Sequence, residues 1–340
     1  MALPDSPASP ATRQAKRPMA RYFLTNEFGL AALIVLFAVL FGVTAQGFLS
    51  PFNLFALGRT ASINIMIGLA MMVVIVTGGL NLALGAIGVC AAIFCGFLIQ
   101  DAGLAWPLAI VLALALGAAL GSINGWITVR SGLHSFIITL ATMSIFFGAM
   151  IFLTRAQSYR GLPPELTSFG RIKIVEIVSP LLVVTVVVAL LLAYLYRLTA
   201  LGREMLAAGA KAEAAELSGV RVGRVFIICH MLSGAIAAVA ALMLTARNGA
   251  AIPSMAGQLG QDWLLPAFLA PVLGGTLLTG GRVSVLGTCL GAFLVTMLTS
   301  GLLLMQIGEF WIQSFLGLLL LAAVLIDKSR RMLLDRSKLS

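Results

Sequence analysis

Charged residues are scarce in this chain. Asp, Glu, Lys and Arg together make up 10% of the 340 residues, whereas hydrophobic residues make up 60%. Soluble domains carry about 25% charged and roughly 45–50% apolar residues. A soluble globule of this size could not cover so much apolar surface with so few charges. The composition therefore excludes that class and predicts an all-α, polytopic membrane protein.

Catalytic and nucleotide-binding motifs are also absent. The sequence contains no G-x-x-x-x-G-K-[ST], no H-E-x-x-H and no G-x-S-x-G. It therefore has no phosphate cradle for ATP and no recognisable catalytic set, so we expect no catalytic residues, bound cofactor or metal site. The four cysteines all lie in apolar runs, which predicts buried free thiols rather than disulfides or metal ligands. They are Cys90, Cys95, Cys229 and Cys289.

The apolar runs predict the number of membrane spans. A spanning helix needs about 20 mostly apolar residues, and ten segments approach that length. The third and eighth are short, so one of them need not cross fully. The predicted spans are 28–48, 60–78, 83–100, 106–129, 135–154, 178–196, 226–246, 264–279, 284–305 and 310–326.

The basic residues predict the orientation of these spans. The net charge is +10, but the Lys and Arg residues lie at the chain ends and in short connectors, which is not the pattern of a nucleic-acid-binding surface. With the N-terminus inside, sixteen of the 22 Lys and Arg residues fall on the cytoplasmic side. The positive-inside rule therefore places both termini in the cytoplasm. We expect a disordered cytoplasmic tail at 1–27, a transmembrane domain at 28–327 and a second cytoplasmic tail at 328–340.

The ten predicted spans contain no Asp, Glu, Lys or Arg. Ion-coupled carriers usually keep such groups in the bilayer as relays, so their absence disfavours a secondary transporter. A membrane-embedded enzyme is disfavoured because no acid–base pair or metal-ligand cluster is visible. His230, the ionisable ring within a span, is expected to be a neutral, hydrogen-bonded core residue.

A glycine-rich motif occurs twice, as TGGLNLALG and TGGRVSVLG. Adjacent glycines permit a helix break, and matching breaks in two halves of a transporter point to a translocation site. The pattern predicts an internal repeat, in which the TGG pairs either border the solute path or allow close helix packing; for the later glycines we favour packing. The candidate path residues are Thr77, Gly78, Gly79, Asn81, Asn124, Thr279, Gly280 and Gly281. The packing glycines are Gly85, Gly88, Gly287 and Gly291.

Two connectors are long enough to contact other proteins. The cytoplasmic connector 197–225 contains EMLAAGAKAEAAELSG, whose Ala, Glu and Leu favour helix. We expect two short helices separated at Gly209 and a stop at Ser218-Gly219, either as a docking element or as a solvated connector. The outer loop 155–177 carries Pro163-Pro164 and is a second possible docking surface.

Several of these segments resemble the permease subunits of bacterial ABC sugar importers of the ribose/galactose/xylose type. The similar segments are GFLSPFNLFALGRTASINIMIGLAMMVVIVTGGLNLALG (47–85), NGWITVRSGLHSFIITLATMSIFFG (124–148), AAGAKAEAAELSGV (207–220), LGGTLLTGGRVSVLGTCLGAF (273–293) and FWIQSFLGLLLLAAVLID (310–327). The resemblance implies a multi-pass protein of the bacterial inner membrane, importing a monosaccharide or related polyol. A branched-chain amino-acid permease is the alternative.

The resemblance also implies partners. They are a second permease copy or paralogue, a periplasmic solute-binding protein and a cytoplasmic ATP-binding subunit that carries ATP and Mg²⁺. The chain is also expected to contact membrane lipid, and no nucleic-acid partner is expected. The segment resembling the ATPase-coupling loop comprises Gly209, Ala210, Lys211, Glu213, Ala214, Ala215, Glu216, Leu217, Ser218 and Gly219. Asn81 departs from the family pattern, which has Asp there, and Ala83 replaces the usual Ser.

Overall fold

The computed structural model describes residues 26–174 and 177–339, and most of them are helical. Two short strands, β1 (Tyr159–Arg160) and β2 (Ala250–Ala251), form an antiparallel pair. A 3-10 turn covers Gln258–Trp263. The helices are α1 (Asn26–Thr44), α2 (Pro51–Ile75), α3 (Leu84–Gln100), α4 (Trp106–Ser131), α5 (Ser135–Thr154), α6 (Pro164–Phe169), α7 (Pro180–Leu198), α8 (Ala200–Ala210), α9 (Ala212–Leu217), α10 (Val222–Asn248), α11 (Leu264–Leu273), α12 (Val285–Leu304) and α13 (Glu309–Leu339).

Helix α2 forms the centre of the bundle. Ser50 caps its start by accepting a hydrogen bond from the Asn53 N–H, and Pro51 occupies the first turn, where its missing N–H costs nothing. From Ala61 to Ile75 nearly every residue is buried, with α7, α10, α11 and α12 packed around it. A helix that is apolar and buried on all sides is typical of the interior of a membrane bundle.

Helices α4 and α10 pack through glycine. A Cβ added to Gly117 would lie 2.6 Å from the carbonyl oxygen of Gly234, and one added to Gly121 would lie 2.2 Å from that of His230. These distances leave no room for a side chain, so the two backbones approach through small residues, as is common between membrane helices. The packing interpretation of the four later glycines is also confirmed, since an added Cβ would meet neighbouring atoms at 2.1 to 2.8 Å.

Within the described residues, seven helices are long and apolar enough to cross a membrane, namely α1, α2, α4, α5, α7, α10 and α12. Two further apolar helices are shorter, at Leu84–Gln100 and Phe310–Leu325. Helix α11 has ten residues, about 15 Å, which is half the hydrocarbon thickness. It ends where Gly274 fits against the backbone of Gly287, so the predicted span 264–279 is interrupted after Leu273.

Other predicted boundaries shift as well. The second span was predicted at 60–78, but the Ser50 cap starts its helix at Pro51, and the helix therefore includes Arg59. The predicted N-terminal tail 1–27 lies outside the described residues except for its last two, which begin α1. Helix α13 continues through the predicted C-terminal tail as far as Leu339. All four cysteines are free, as predicted.

Candidate functional site

The connector between α7 and α10 forms two short helices, but they are separated at Lys211 rather than at Gly209. Lys211 has an extended backbone, with φ −161° and ψ 101°, and it ends α8 and precedes α9. Gly209 lies inside α8, so the predicted break position was wrong. The predicted stop is confirmed, because α9 ends at Leu217 and Gly219 takes φ +85°.

Helix α9 presents an acidic and apolar outer surface. Glu213 and Glu216 are exposed, and the Leu217 side chain is 90% exposed, the largest fraction among the large hydrophobic residues that the structure describes. Ala215 on the opposite side is buried against the rest of the chain. Glu213, Glu216 and Leu217 therefore all face away from the rest of the chain.

Gly209 has a structural role that the sequence did not reveal. A Cβ at this position would lie 1.8 Å from the carbonyl oxygen of Val76 and 2.6 Å from the backbone nitrogen of Gly281. Only glycine allows the backbone of α8 to approach so closely. Helix α8 therefore rests directly on the C-terminal end of α2 and on the turn before α12.

The two TGG motifs meet at the same place. The Gly281 N–H donates to the Val76 carbonyl at 2.8 Å, and a Cβ added to Gly78 would lie 3.3 Å from the carbonyl oxygen of Thr279. Gly78, Gly280 and Gly281 all have positive φ, at +77°, +87° and +79°, a conformation that glycine adopts without steric cost. We call this backbone-to-backbone contact among Gly78, Gly209, Gly280 and Gly281 the glycine junction.

The remaining residues of the first TGG motif also pack tightly. Thr77 donates its hydroxyl to the Val74 carbonyl at 2.9 Å and so satisfies the end of α2. A Cβ on Gly79 would lie 2.9 Å from the ring of Phe226 on α10. Gly78 thus lies at the glycine junction, whereas Thr77 bonds to the end of α2 and Gly79 packs against α10.

The loop after this motif is held by hydroxyl groups of α5. Ser135 accepts from the Leu80 N–H at 2.8 Å, and Thr139 accepts from the Leu82 N–H at 3.0 Å. Asn81, fully buried, donates to the Ser233 hydroxyl of α10 at 3.0 Å. Ser135, Thr139 and Ser233 were not among the residues predicted from the sequence. The available signal was the spacing of four residues between Ser135 and Thr139, which places both hydroxyls on one face of α5.

Several buried polar atoms near this loop lack a hydrogen-bond partner among the described residues. They are Oδ1 of Asn81, both side-chain polar atoms of Asn124, and Nε2 of His230. The Nδ1 atom of His230 is 3.1 Å from the Phe226 carbonyl, and its ring lies near the Leu80 backbone. Asn124 lies on the α4 face that carries Gly117 and Gly121, the face packed on α10. Buried polar atoms are normally paired, so these four atoms are exceptions among the described residues.

Thr139→Val tests how much the α5 hydroxyls contribute to stability. The change leaves the buried Leu82 N–H without its acceptor, which costs about 1–3 kcal/mol, so the thermal unfolding midpoint of the purified protein should fall clearly. Thr142→Val is the matched control, because the Thr142 hydroxyl donates only within α5, to the Thr139 carbonyl. Equal midpoints for both variants would contradict the role of Thr139.

Basic residues gather at the opposite end of α2. The Arg59 guanidinium lies 4.7 Å and the Lys173 ammonium 5.3 Å from the centre of the Phe55 ring. Arg59 also donates to the Gly170 carbonyl at 3.2 Å, and Arg171 and Arg247 lie close enough to it for mutual repulsion. This end of the bundle is therefore strongly electropositive.

The fold and these features define a class: a multi-pass, mostly helical membrane protein with close backbone contacts at helix breaks. A family model described as the permease component of the branched-chain amino acid transport system matches residues 53–325. The chain belongs to this family of transport-system permease components. It is accordingly a multi-pass protein of the bacterial inner membrane, and the family supplies the permease rather than the ATPase.

Individual relatives cover nearly the whole chain. The ribose import permease protein of Bacillus subtilis (strain 168) is 34% identical over 305 residues, covering 89% of this chain and 91% of the relative. The ribose import permease protein of Escherichia coli (strain K12) is 30% identical over 328 residues, covering 94% of this chain and 99% of the relative. An autoinducer 2 import system permease protein of Salmonella paratyphi A is 33% identical over 320 residues, covering 92% of this chain and 93% of the relative. No solved structure matches the chain.

Proposed function

We propose that this chain is the membrane-spanning permease subunit of an ATP-driven, binding-protein-dependent importer that carries a monosaccharide or related polyol. The observation that carries the proposal is the glycine junction, where the connector resembling the ATPase-coupling loop touches the ends of the membrane helices directly. Such a contact suits a subunit whose energy arrives from outside its own chain. The relatives named for ribose and autoinducer 2 support a sugar-like cargo over a branched-chain amino acid.

The proposal includes the arrangement of the complex. Two permeases, identical or paralogous, span the membrane with ten segments each, related in part by an internal repeat, and with both termini in the cytoplasm. Helix α9 docks on an ATP-binding subunit, which holds the nucleotide and Mg²⁺, while this chain binds no cofactor. The electropositive end of α2 faces outward, where it suits an acidic surface of a periplasmic binding protein. The TGG motifs, Asn81 and Asn124 border the path.

Reconstitution tests the proposed function. The chain should be placed in liposomes with the ATPase and binding protein encoded beside its gene, and uptake of radiolabelled D-ribose measured. We expect accumulation only when both partners and ATP are present, with weaker uptake at high salt, which screens the outer charges. Accumulation by the chain alone under an ion gradient would instead support a secondary transporter. Accumulation of leucine but not of ribose would support a branched-chain amino-acid permease.

Cysteine labelling tests the orientation. In a chain whose four native cysteines are replaced, Gln157→Cys lies in the predicted outer loop and Ser218→Cys in the connector, and both positions are exposed. A membrane-impermeant maleimide added to intact spheroplasts should label Gln157→Cys at once, but Ser218→Cys only after permeabilisation. The reverse pattern would invert the proposed topology.

A further inference from the structure

A cavity of about 290 Å³ opens between α2 and α12, away from the glycine junction. Its size is near the lower end of the range for small-molecule sites, roughly 300–1,000 Å³. Six of its lining residues carry uncharged polar groups, and the other lining residues are alanine and leucine. The polar ones are Asn53, Thr60, Asn64, Thr296, Thr299 and Ser300.

The spacing of these residues makes two facing polar stripes. On α2, Asn53, Thr60 and Asn64 are seven and four residues apart, which places them on one helix face over roughly 16 Å. On α12, Thr296 and Ser300 are one turn apart, and they bond to α2 directly. Asn64 donates to the Thr296 hydroxyl at 2.9 Å, and Ser300 donates to the Asn53 Oδ1 at 3.3 Å.

The cavity offers mainly hydrogen-bond acceptors. Thr60 donates its hydroxyl to the Ala56 carbonyl at 3.0 Å, and Thr299 donates to the Val295 carbonyl at 2.9 Å. Because each hydroxyl donates its hydrogen bond within its own helix, the lone pairs of its oxygen remain available as acceptors. The Thr60 and Thr299 oxygens line the cavity, where their lone pairs can accept from water or a polar solute.

The geometry points to a binding subsite for an uncharged, polyhydroxylated solute in this cavity, on the outer half of the path; this inference rests on the proposed function. Hydroxyl donors of the solute match the acceptors of Thr60, Thr299 and Asn64. No lining residue is charged, so an amino acid would find no partner for its ammonium and carboxylate groups. In the proposed orientation the cavity occupies the outer ends of α2 and α12, where a solute arrives first.

Chemical labelling tests the subsite without relying on transport. Asn64→Cys and Thr299→Cys, each in the cysteine-free chain within the complete complex, should react with a small membrane-impermeant thiosulfonate added from outside. Excess D-ribose should slow the reaction several-fold, whereas excess leucine should not. Failure of both cysteines to react, or protection by leucine and not by ribose, would overturn the inference and leave the stripes as a dry contact between helices.

Transport by isosteric variants gives the second readout. Thr60→Val and Thr299→Val remove the acceptors but leave the two bonds between α2 and α12 in place. We expect ribose uptake to fall about tenfold or more at limiting ribose, with unchanged thermal midpoint and unchanged ATPase association. Thr44→Val is the control, because Thr44 also bonds within its own helix, to the Leu40 carbonyl at 2.7 Å, but lies outside the cavity.

The two proposals fail in different ways. If the wild-type complex imports no ribose or other polyol, the proposed function fails. If the wild type imports ribose while both valine variants match it and ribose gives no protection, only the subsite assignment fails.

Discussion

Replacing Gly209 by alanine should uncouple the importer while leaving the ATPase bound. The new Cβ would lie 1.8 Å from the Val76 carbonyl oxygen and 2.6 Å from the Gly281 nitrogen. Both neighbours are backbone atoms that cannot rotate away as a flexible side chain would. Helix α8 must therefore move off the ends of α2 and of the turn before α12.

The expected size of the effect follows from the cost of overpacking. Forced insertion of a methyl group typically costs about 1–3 kcal/mol, and more where backbone must shift. The substitution disrupts the glycine junction, which in the proposed function transmits movement of the connector to the membrane helices. We expect ATP-driven uptake to fall at least about tenfold, because each 1.4 kcal/mol corresponds to about a factor of ten.

Two measurements and a control variant separate uncoupling from misfolding. The variant should still copurify with the ATPase, since α9 is untouched, and it should elute as a single species in size-exclusion chromatography. Gly148→Ala is the matched control, because a Cβ on this helical glycine of α5 meets nothing within 4 Å. Normal uptake by a folded, ATPase-bound Gly209→Ala variant would refute the transmitting role of the glycine junction.

The second large effect is expected at α9, where Glu216→Lys and Leu217→Ser should each release the ATPase. The Leu217 side chain is 90% exposed in the chain alone, and burying a leucine in a partner contributes about 1.5–3 kcal/mol. Its loss should weaken association roughly 10- to 100-fold. Glu216→Lys replaces a carboxylate by a cation on the surface that is proposed to contact the ATPase. ATP-driven uptake should therefore be lost together with binding of the ATPase.

Copurification of the ATPase with the tagged permease measures this release. Glu216→Gln is the control, since it keeps the shape and removes the charge, and it separates a charge effect from a packing effect. Both releasing variants should remain inserted with an unchanged thermal midpoint. The docking role of α9 is wrong if both of them retain the ATPase and full uptake. The two sets of variants should therefore give different results. Gly209→Ala should keep the ATPase bound but lose ATP-driven uptake, whereas the α9 variants should lose the ATPase itself.

The membrane helices match the predicted spans well where the composition of a single segment is enough to predict a helix. Helices α5 and α7 match the predicted spans within two residues, because apolar runs need no distant partner to reveal them. The predicted eighth span, 264–279, extends beyond α11, because the run of apolar residues continues whereas Gly274 packs against Gly287 and the helix ends at Leu273. It also placed the connector break at Gly209, since glycine suggests a helix break as readily as a close contact.

The sequence by itself determined that this protein is a multi-pass helical bundle with few charged residues, two matching glycine motifs and a helical connector. Those properties depend on local composition and spacing, which a single segment displays. Only the tertiary structure decided that Gly78, Gly209 and Gly281 meet, that α5 hydroxyls hold the Asn81 loop, and that α2 and α12 enclose a polar cavity. Such contacts join segments far apart in the chain. They leave no local pattern, because a glycine or a threonine is equally compatible with several different neighbours.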